Sequence, residues 1–223
     1  MFDNVTKSVR VLSAAAVEKA KSGHPGMPLG MADVGVAIYK NALKVSNKNP
    51  DWINRDRFVL SAGHGSMLLY SLQHFNGFNI SMDDIKNFRQ LGSLTAGHPE
   101  RDFQLGIDTT TGPLGQGFAN GVGLAVAERY LSSVFGEDII DHYIYGIVSD
   151  GDLMEGISTE AAELAGLWNL GKIIYFFDDN NISIDGNVTQ VSITNQKNKF
   201  LSMGWDVLAV SYTHLRAHET LSY

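Results

Sequence analysis

One stretch of this chain constrains its fold more than any other part. Residues 143–148 and 173–177 are near-continuous apolar runs, as in parallel strands covered on both faces. Between them lies a segment with apolar residues at helical spacing, namely Ile157, Ala161, Leu164 and Trp168. We expect Gly171 to cap that helix. The order strand, helix, strand predicts a right-handed βαβ unit, and therefore an α/β fold with a parallel sheet.

The remaining periodic segments fit the same fold. Further helices are predicted at residues 5–20, 30–43 and 117–131, the last rich in small residues and suited to close packing against another helix. Residues 57–63 predict a short strand followed by a helix. The long stretch from 92 to 117 is rich in Gly, Thr and Pro and has no usable period, which is typical of functional loops. We interpret residues 1–210 as one domain, with helices on both faces of the sheet.

Charge and cysteine content exclude several classes of function. The 223 residues carry a formal net charge of −7, which argues against nucleic acid or an anionic membrane as a partner. The chain has no cysteine, so thiolate catalysis, disulfides and cysteine metal sites are all excluded. No apolar run is long enough to span a membrane. A cytoplasmic location is expected.

Polar side chains follow both strands of the βαβ unit. The first strand ends in Ser149-Asp150-Gly151 and the second in residues 178–181, which include Asn180. Because neighbouring parallel strands end at the same edge of a sheet, we expect Asp150 and Asn180 to face one another where ligands of open α/β folds bind. A carboxylate and an amide oxygen suit Mg²⁺ or Ca²⁺ rather than zinc. The cation would bridge Asp150 to a diphosphate resting on Gly151 at the helix start.

A simpler interpretation of these acids has to be weighed. A single Asp-Gly at a strand end is usually only a turn. Asp152 and Glu155 also fit ordinary acids that interact with a helix dipole, and we interpret Asp152 in that way. The pairing of two polar strand ends, one helix crossover apart, favours the cation site.

Three histidines lie in glycine-containing loops: His24 in SGHPG, His64 in SAGHGS and His98 in AGHPE. Glycine lets the backbone approach a ligand closely in such loops. A loop histidine is more often a hydrogen-bonded structural residue than a catalytic one. None of the three has metal-ligand spacing to another, so their expected task is hydrogen bonding and proton transfer to a hydroxylated substrate.

Six motifs occur in an order that resembles the N-terminal, diphosphate-binding part of the transketolase family. They are AKSGHPGMPLGMAD (20–33), RDRFVLSAGHGSMLLYSL (55–72), LTAGHPE (94–100), TTTGPLGQG (109–117), SDGDLMEGIS (149–158) and DDNNISIDG (178–186). The resemblance extends from about residue 5 to residue 205, nearly the whole chain. The Asp-Gly to Asn pairing is the fingerprint of thiamine diphosphate enzymes in general, whereas the histidine motifs and TTTGPLGQG are typical of transketolase.

The resemblance implies the fold, the cofactors and the reaction. It implies thiamine diphosphate and a divalent metal as cofactors, sugar phosphates as substrates, and a homodimer in the full-length protein. The reaction would transfer a two-carbon ketol unit from a ketose phosphate to an aldose phosphate, as part of carbohydrate metabolism in the pentose phosphate pathway.

The resemblance also assigns roles to individual residues. The metal ligands would be Asp150, Asn180 and the backbone carbonyl of Ile182. The cofactor would be contacted by His64, Gly112, Pro113, Leu114, Gly151 and Ile184, with Ile184 near the thiazolium ring. His24 and His98 would touch the sugar hydroxyls, and Glu155 would connect the two cofactor sites of a dimer.

Two departures from the family pattern leave alternatives open. Ser149 stands where the fingerprint usually has glycine, and residues 211–223 show no family match. We expect that tail to be poorly ordered, as at a foreign or frame-shifted junction, and the chain to be the truncated beginning of a transketolase. A fragment that only binds cofactor or dimerises is one alternative. A related thiamine enzyme such as dihydroxyacetone synthase is another.

Overall fold

The computed structural model describes residues 2–210, and the predicted disorder of residues 211–223 concerns a segment outside the described residues. The α-helices of the described part are α1 (Phe2–Ala20), α2 (Gly26–Gly30), α3 (Ala32–Asn41), α4 (Ser66–Phe75), α5 (Met82–Lys86), α6 (Gln116–Phe135), α7 (Asp150–Met154), α8 (Gly156–Leu167) and α9 (Gln196–Ser202). The strands are β1 (Arg57–Leu60), β2 (Ile144–Ser149), β3 (Ile173–Asp178), β4 (Ile182–Ser183) and β5 (Gly186–Asn187). Within residues 2–210, no helix has the length and apolar character needed to cross a bilayer.

The central sheet confirms the predicted parallel arrangement. Its order is β1-β2-β3, and both neighbouring pairs run parallel. The register pairs Ile144 with Ile173 at one end and Ser149 with Asp178 at the other, so β2 and β3 end side by side. β2 is buried along its apolar length, whereas β3 is partly exposed, with Ile174 at 37%. β3 is an edge strand among the described residues, which explains why its apolar run is less covered than expected.

Helices cover both faces of the sheet, as predicted. Phe58, Leu60, Tyr145 and Ile147 point to one face and pack with residues of α1, α3 and α4. The alternate residues Val59, Ile144 and Val148 point to the other face and pack with α6 and α8. This alternation follows from the period of two in a strand. Burial of each such side chain contributes about 1.5–3 kcal/mol, which makes the sheet the rigid platform of the domain.

α6 packs against another helix, α8, as its small residues predicted, and it also packs closely on the sheet. A Cβ on Gly121 would lie 1.9 Å from the Tyr175 hydroxyl of β3. That hydroxyl donates a hydrogen bond to the carbonyl oxygen of Phe118, 2.7 Å away. Gly123, on the same helix, would meet nothing within 4 Å. The helix itself is longer than expected and extends to Phe135.

Four predictions of local structure were wrong in detail. The crossover between β2 and β3 consists of two helices, α7 and α8, because Glu155 adopts an extended conformation between them. The cap of α8 is Trp168, and Asn169 then turns with φ 51°, so Gly171 does not cap that helix. The helix predicted at residues 30–43 is divided at Met31, and the strand predicted at residues 57–63 ends at Leu60.

Candidate cofactor and metal site

Asp150 lies at the carboxyl end of the sheet, as the first residue of α7. Its side chain is buried, with the residue only 6% exposed, and Oδ2 has no hydrogen-bond partner among the described residues. Burial, reinforced by the negative charges of Asp179 and Asp178, raises the pKa of Asp150 to about 6. A buried carboxylate oxygen without a partner is costly, and a bound cation would remove that cost.

The polar end of β3 lies beside Asp150, as the strand register requires. Asp178 is also buried, and its Oδ2 accepts a hydrogen bond from the Asn180 amide nitrogen at 3.0 Å. The Asn180 Oδ1 accepts one from the backbone nitrogen of Ile182 at 2.9 Å, which orients the amide. Each side-chain oxygen has further lone pairs to offer. The predicted donor set therefore fits a hard divalent cation that takes its other ligands from phosphate and water.

Clusters of acids and histidines of the kind that bind metal by themselves are absent from residues 2–210. The helix that follows Asp150 is short, since α7 has five residues. Its N-terminal dipole is weak for that reason and favours an anion, so the attraction for a cation comes from the carboxylate.

The hairpin after β3 carries an unusual isoleucine. β4 and β5 pair antiparallel, and Ile184 between them has φ 61°. A β-branched residue rarely adopts this left-handed conformation, and such outliers cluster at functional sites. The side chain is 99% exposed, so the strain is not balanced by burial within the described chain. An apolar ligand at this position would give the side chain a contact.

The three loop histidines come together in space. The rings of His24 and His64 are 5.1 Å apart, centroid to centroid, in an edge-on arrangement. A Cβ on Gly112 would lie 3.2 Å from the His98 ring, so His98 packs against the loop at residues 109–117. Burial lowers the pKa of both His64 and His98, and the charge of Arg89 lowers that of His98 further. Both imidazoles are therefore neutral at pH 7 and free to accept a proton.

The loops that carry the predicted cofactor contacts approach one another backbone to backbone. A Cβ on Gly63, next to His64, would lie 2.7 Å from the backbone nitrogen of Gly112, and one on Gly151 would lie 2.9 Å from a methyl carbon of Leu114. Only glycine permits the distance at Gly63, where the neighbour is backbone, whereas the Leu114 side chain beside Gly151 could move aside. Of the other predicted contacts, Pro113 and Glu155 are exposed, and Glu155 is the residue between α7 and α8.

Two side chains that were not predicted from the sequence as site residues, Ser66 and Tyr70, hold the AGHPE loop (96–100) in place. The Tyr70 hydroxyl donates to the carbonyl oxygen of Ala96 at 2.9 Å, and the Ser66 hydroxyl donates to that of Gly97 at 3.0 Å. The backbone nitrogen of Thr111 donates to the carbonyl oxygen of Pro99 at 3.1 Å. Ser66 and Tyr70 lie on α4 and are buried. The apolar period of α4 was the one sequence signal that could have indicated their burial.

Asp152 makes more contacts than the predicted role of an ordinary helix-dipole acid requires. It does lie in the first turn of α7, as a helix-dipole acid would. Its carboxylate, however, is fully buried and accepts hydrogen bonds from Ser61, Gly115 and Ser149. Two of these partners are remote in the sequence, and no local pattern indicates them.

The fold defines a class of protein, an α/β domain with a parallel sheet, and the polar ends of its strands form a candidate site for a diphosphate cofactor and a divalent cation. The family model described as "Transketolase, thiamine diphosphate binding domain" matches residues 2–220. The chain belongs to the transketolase family, and it corresponds to the thiamine diphosphate-binding domain of that family. Because the matched range extends past residue 210, the domain boundary at that residue stays a prediction.

Named relatives agree with this assignment. The chain is 53% identical to transketolase of Bacillus subtilis over 206 residues, which is 91% of this chain and 31% of the relative. A crystal structure of transketolase from Campylobacter jejuni superimposes with a TM-score of 0.92 at 48% identity, covering 98% of this chain and 35% of that one. The Pichia stipitis transketolase in complex with sedoheptulose-7-phosphate gives a TM-score of 0.90 at 45% identity, covering 94% and 31%. The chain thus spans about a third of the length of these relatives.

Proposed function

We propose that this chain forms the metal- and diphosphate-binding part of an enzyme that transfers a two-carbon ketol unit from a ketose phosphate to an aldose phosphate. The observation that carries the proposal is the buried, unpartnered Oδ2 of Asp150 at the strand ends. Family membership supports the reaction class. The clustered histidines support a hydroxylated substrate next to the cation site.

Asp150, Asn180 and the carbonyl oxygen of Ile182 would hold Mg²⁺ or Ca²⁺ in this proposal. Thiamine diphosphate, when bound, supplies the carbon nucleophile that carries the ketol unit. The part of this chain is to bind and orient that cofactor. His64 and Gly151 would lie on its diphosphate side, with Gly112, Pro113 and Leu114 on its aminopyrimidine side and Ile184 against its thiazolium ring.

His24 and His98 would act on the sugar. Both are exposed at the mouth of the histidine cluster, where a hydroxylated substrate can reach them. Because its pKa is lowered, the neutral imidazole of His98 can accept a proton from a sugar hydroxyl and return it later. His24 would hold the adjacent hydroxyl by a hydrogen bond.

Sugar phosphates, a homodimer and a cytoplasmic location belong to the same proposal. The Pichia stipitis relative supports the first, since its structure is described as a complex with sedoheptulose-7-phosphate. The exposure of Glu155 leaves that carboxylate free to reach a second subunit, as the family resemblance implies. The net charge of −7 supports the absence of nucleic acid among the partners.

Calorimetry on the complete protein that carries this sequence tests the proposal. Thiamine diphosphate should bind in the presence of Mg²⁺ or Ca²⁺ and bind poorly with a chelator. Asp150→Ala should abolish the metal-dependent part of the affinity. An unchanged affinity in this variant would remove Asp150 from the metal site. A ketol-transfer assay with a ketose phosphate donor, with and without the aldose phosphate acceptor, then tests the reaction.

A further inference from the structure

We propose that Asp152 is a positioning residue that assembles the cofactor-binding loops before any cofactor is present. This inference rests on the proposed function, because the loops concerned are those assigned to thiamine diphosphate. Asp152 is not among the predicted cofactor or metal contacts, and its carboxylate is wholly buried, at 0% exposure.

The carboxylate joins three separate segments through four hydrogen bonds. Oδ1 accepts from the Ser61 hydroxyl at 2.7 Å and from the backbone nitrogen of Gly115 at 2.9 Å. Oδ2 accepts from the backbone nitrogen of Ser149 at 2.9 Å and from its hydroxyl at 3.0 Å. The Ser61 hydroxyl in turn accepts from the backbone nitrogen of Phe118 at 2.9 Å, which extends the network into α6.

Each of the three segments leads directly into a predicted cofactor contact. Ser61 precedes the turn that bears His64, and Gly115 follows Leu114. Ser149 precedes Asp150 and Gly151. One buried carboxylate therefore sets the relative positions of three parts of the protein: the turn assigned to the diphosphate, the loop assigned to the aminopyrimidine, and the strand end that carries the proposed metal ligand Asp150. Such prior ordering lowers the entropic cost of binding.

The network needs a carboxylate, and an amide of the same shape cannot replace it. The side chain of Asn offers one acceptor oxygen and one NH₂ donor. If the NH₂ group faces Ser149, it meets the backbone N–H of that residue. If it faces Gly115, it meets the N–H there instead. Either orientation sets two donors against each other and leaves one buried backbone N–H without an acceptor.

Asp152→Asn should therefore weaken cofactor binding without touching the cofactor. Loss of one buried hydrogen bond at the joint between loops predicts a rise in the Kd of thiamine diphosphate of about ten- to a hundredfold at saturating Mg²⁺. In the cofactor-free protein, the amide hydrogens of Gly115 and Ser149 should exchange faster with solvent. Ser149→Ala keeps the backbone bond and loses only the hydroxyl bond, so it should shift both quantities in the same direction by less.

A matched control separates positioning from general destabilisation. Glu128 of α6 is also a buried carboxylate, 4% exposed, and it binds Lys172 at 2.7 Å. Lys172 directly precedes β3, so it lies at the amino ends of the strands, whereas the cofactor loops lie at their carboxyl ends. Glu128→Gln should lower the melting temperature and leave the Kd of thiamine diphosphate unchanged.

The test uses the complete protein and measures Kd by calorimetry, amide exchange by mass spectrometry, and thermal unfolding. A wild-type protein that does not bind thiamine diphosphate would refute the proposed function. Binding by the wild type with the same Kd and the same amide exchange in Asp152→Asn would refute the positioning role alone. An equal rise in Kd in Glu128→Gln would also refute it, because the effect would then reflect stability only. If Asp152→Asn does not fold, Ser149→Ala decides by the same criteria.

Discussion

Asp150→Asn should stabilise the cofactor-free protein while destroying its response to metal and cofactor. The substitution keeps the shape of the side chain and removes a buried negative charge that lies near Asp178 and Asp179. Burial and these neighbours raise the pKa of Asp150 from 3.8 to about 6, and a rise of that size corresponds to about 3 kcal/mol. Because solvent screens part of the repulsion and the buried amide of the variant has its own desolvation cost, we expect a gain of about 1–2 kcal/mol at pH 8.

The sign of the effect depends on pH. A carboxyl group whose pKa is raised on folding binds its proton more tightly in the folded state than in the unfolded chain. The stability of the wild type should therefore fall as pH rises from about 4 through about 6. Near pH 4, Asp150 is protonated in the folded state and the charge difference between the wild type and the variant disappears, so the two proteins should unfold at similar temperatures. The advantage of the variant should be complete above pH 7.

Thermal unfolding with and without ligand is the assay. At pH 8 without ligand, the variant should melt higher, by about 2–4 °C per kcal/mol for a domain of this size. With Mg²⁺ and thiamine diphosphate at about 100 times Kd, the wild type should gain about 2.7 kcal/mol and the variant nothing, so that the order reverses.

Asp141→Asn is the control for this experiment. This substitution also removes one negative charge, but from an exposed acid that binds Lys172 at 2.7 Å. Asp141 lies just before β2, at the amino ends of the strands and away from Asp150. Lys172 lowers the pKa of Asp141, so this variant should not be stabilised at pH 8 and should keep the response to ligand. A lower melting temperature for Asp150→Asn without ligand, or an equal ligand response, would refute the reasoning.

Three further predictions follow from the site and its support. His24→Ala and His98→Ala should reduce kcat or sugar affinity by about 10²-fold or more with little change in cofactor Kd, whereas His64→Ala should weaken cofactor binding first; wild-type kinetics in all three variants would favour structural histidines. Gly121→Ala should destabilise the fold by about 1–3 kcal/mol through a clash with a buried tyrosine hydroxyl, while Gly123→Ala, in open space, should be neutral or stabilising; equal melting temperatures would contradict this packing. A polypeptide confined to these 223 residues should show no ketol transfer, because the transketolase resemblance implies that a carboxylate from another domain engages the aminopyrimidine ring and activates the cofactor; activity that survives gel filtration would disprove this.

The α/β fold could be predicted from the sequence, and the candidate site could be proposed from it, because both depend on local patterns. Apolar runs of strand length, separated by one amphipathic helix, permit few arrangements other than a parallel βαβ unit. That arrangement brings the residues after β2 and β3 to the same edge of the sheet. The choice of Asp150 and Asn180 as candidate metal ligands follows from this arrangement without further information. The loop histidines were identified by their glycine neighbours.

Tertiary structure alone decided how the site is held together. Asp152 looks like any acid near a helix start, and its burial depends on Ser61 and Gly115, which are 91 and 37 residues away in the chain. The contact between His24 and His64 likewise depends on packing between segments that are distant in the sequence. Local sequence specifies which groups are available, but the desolvation and hydrogen bonding of a side chain depend on every segment that surrounds it. Those segments come together only in the folded chain.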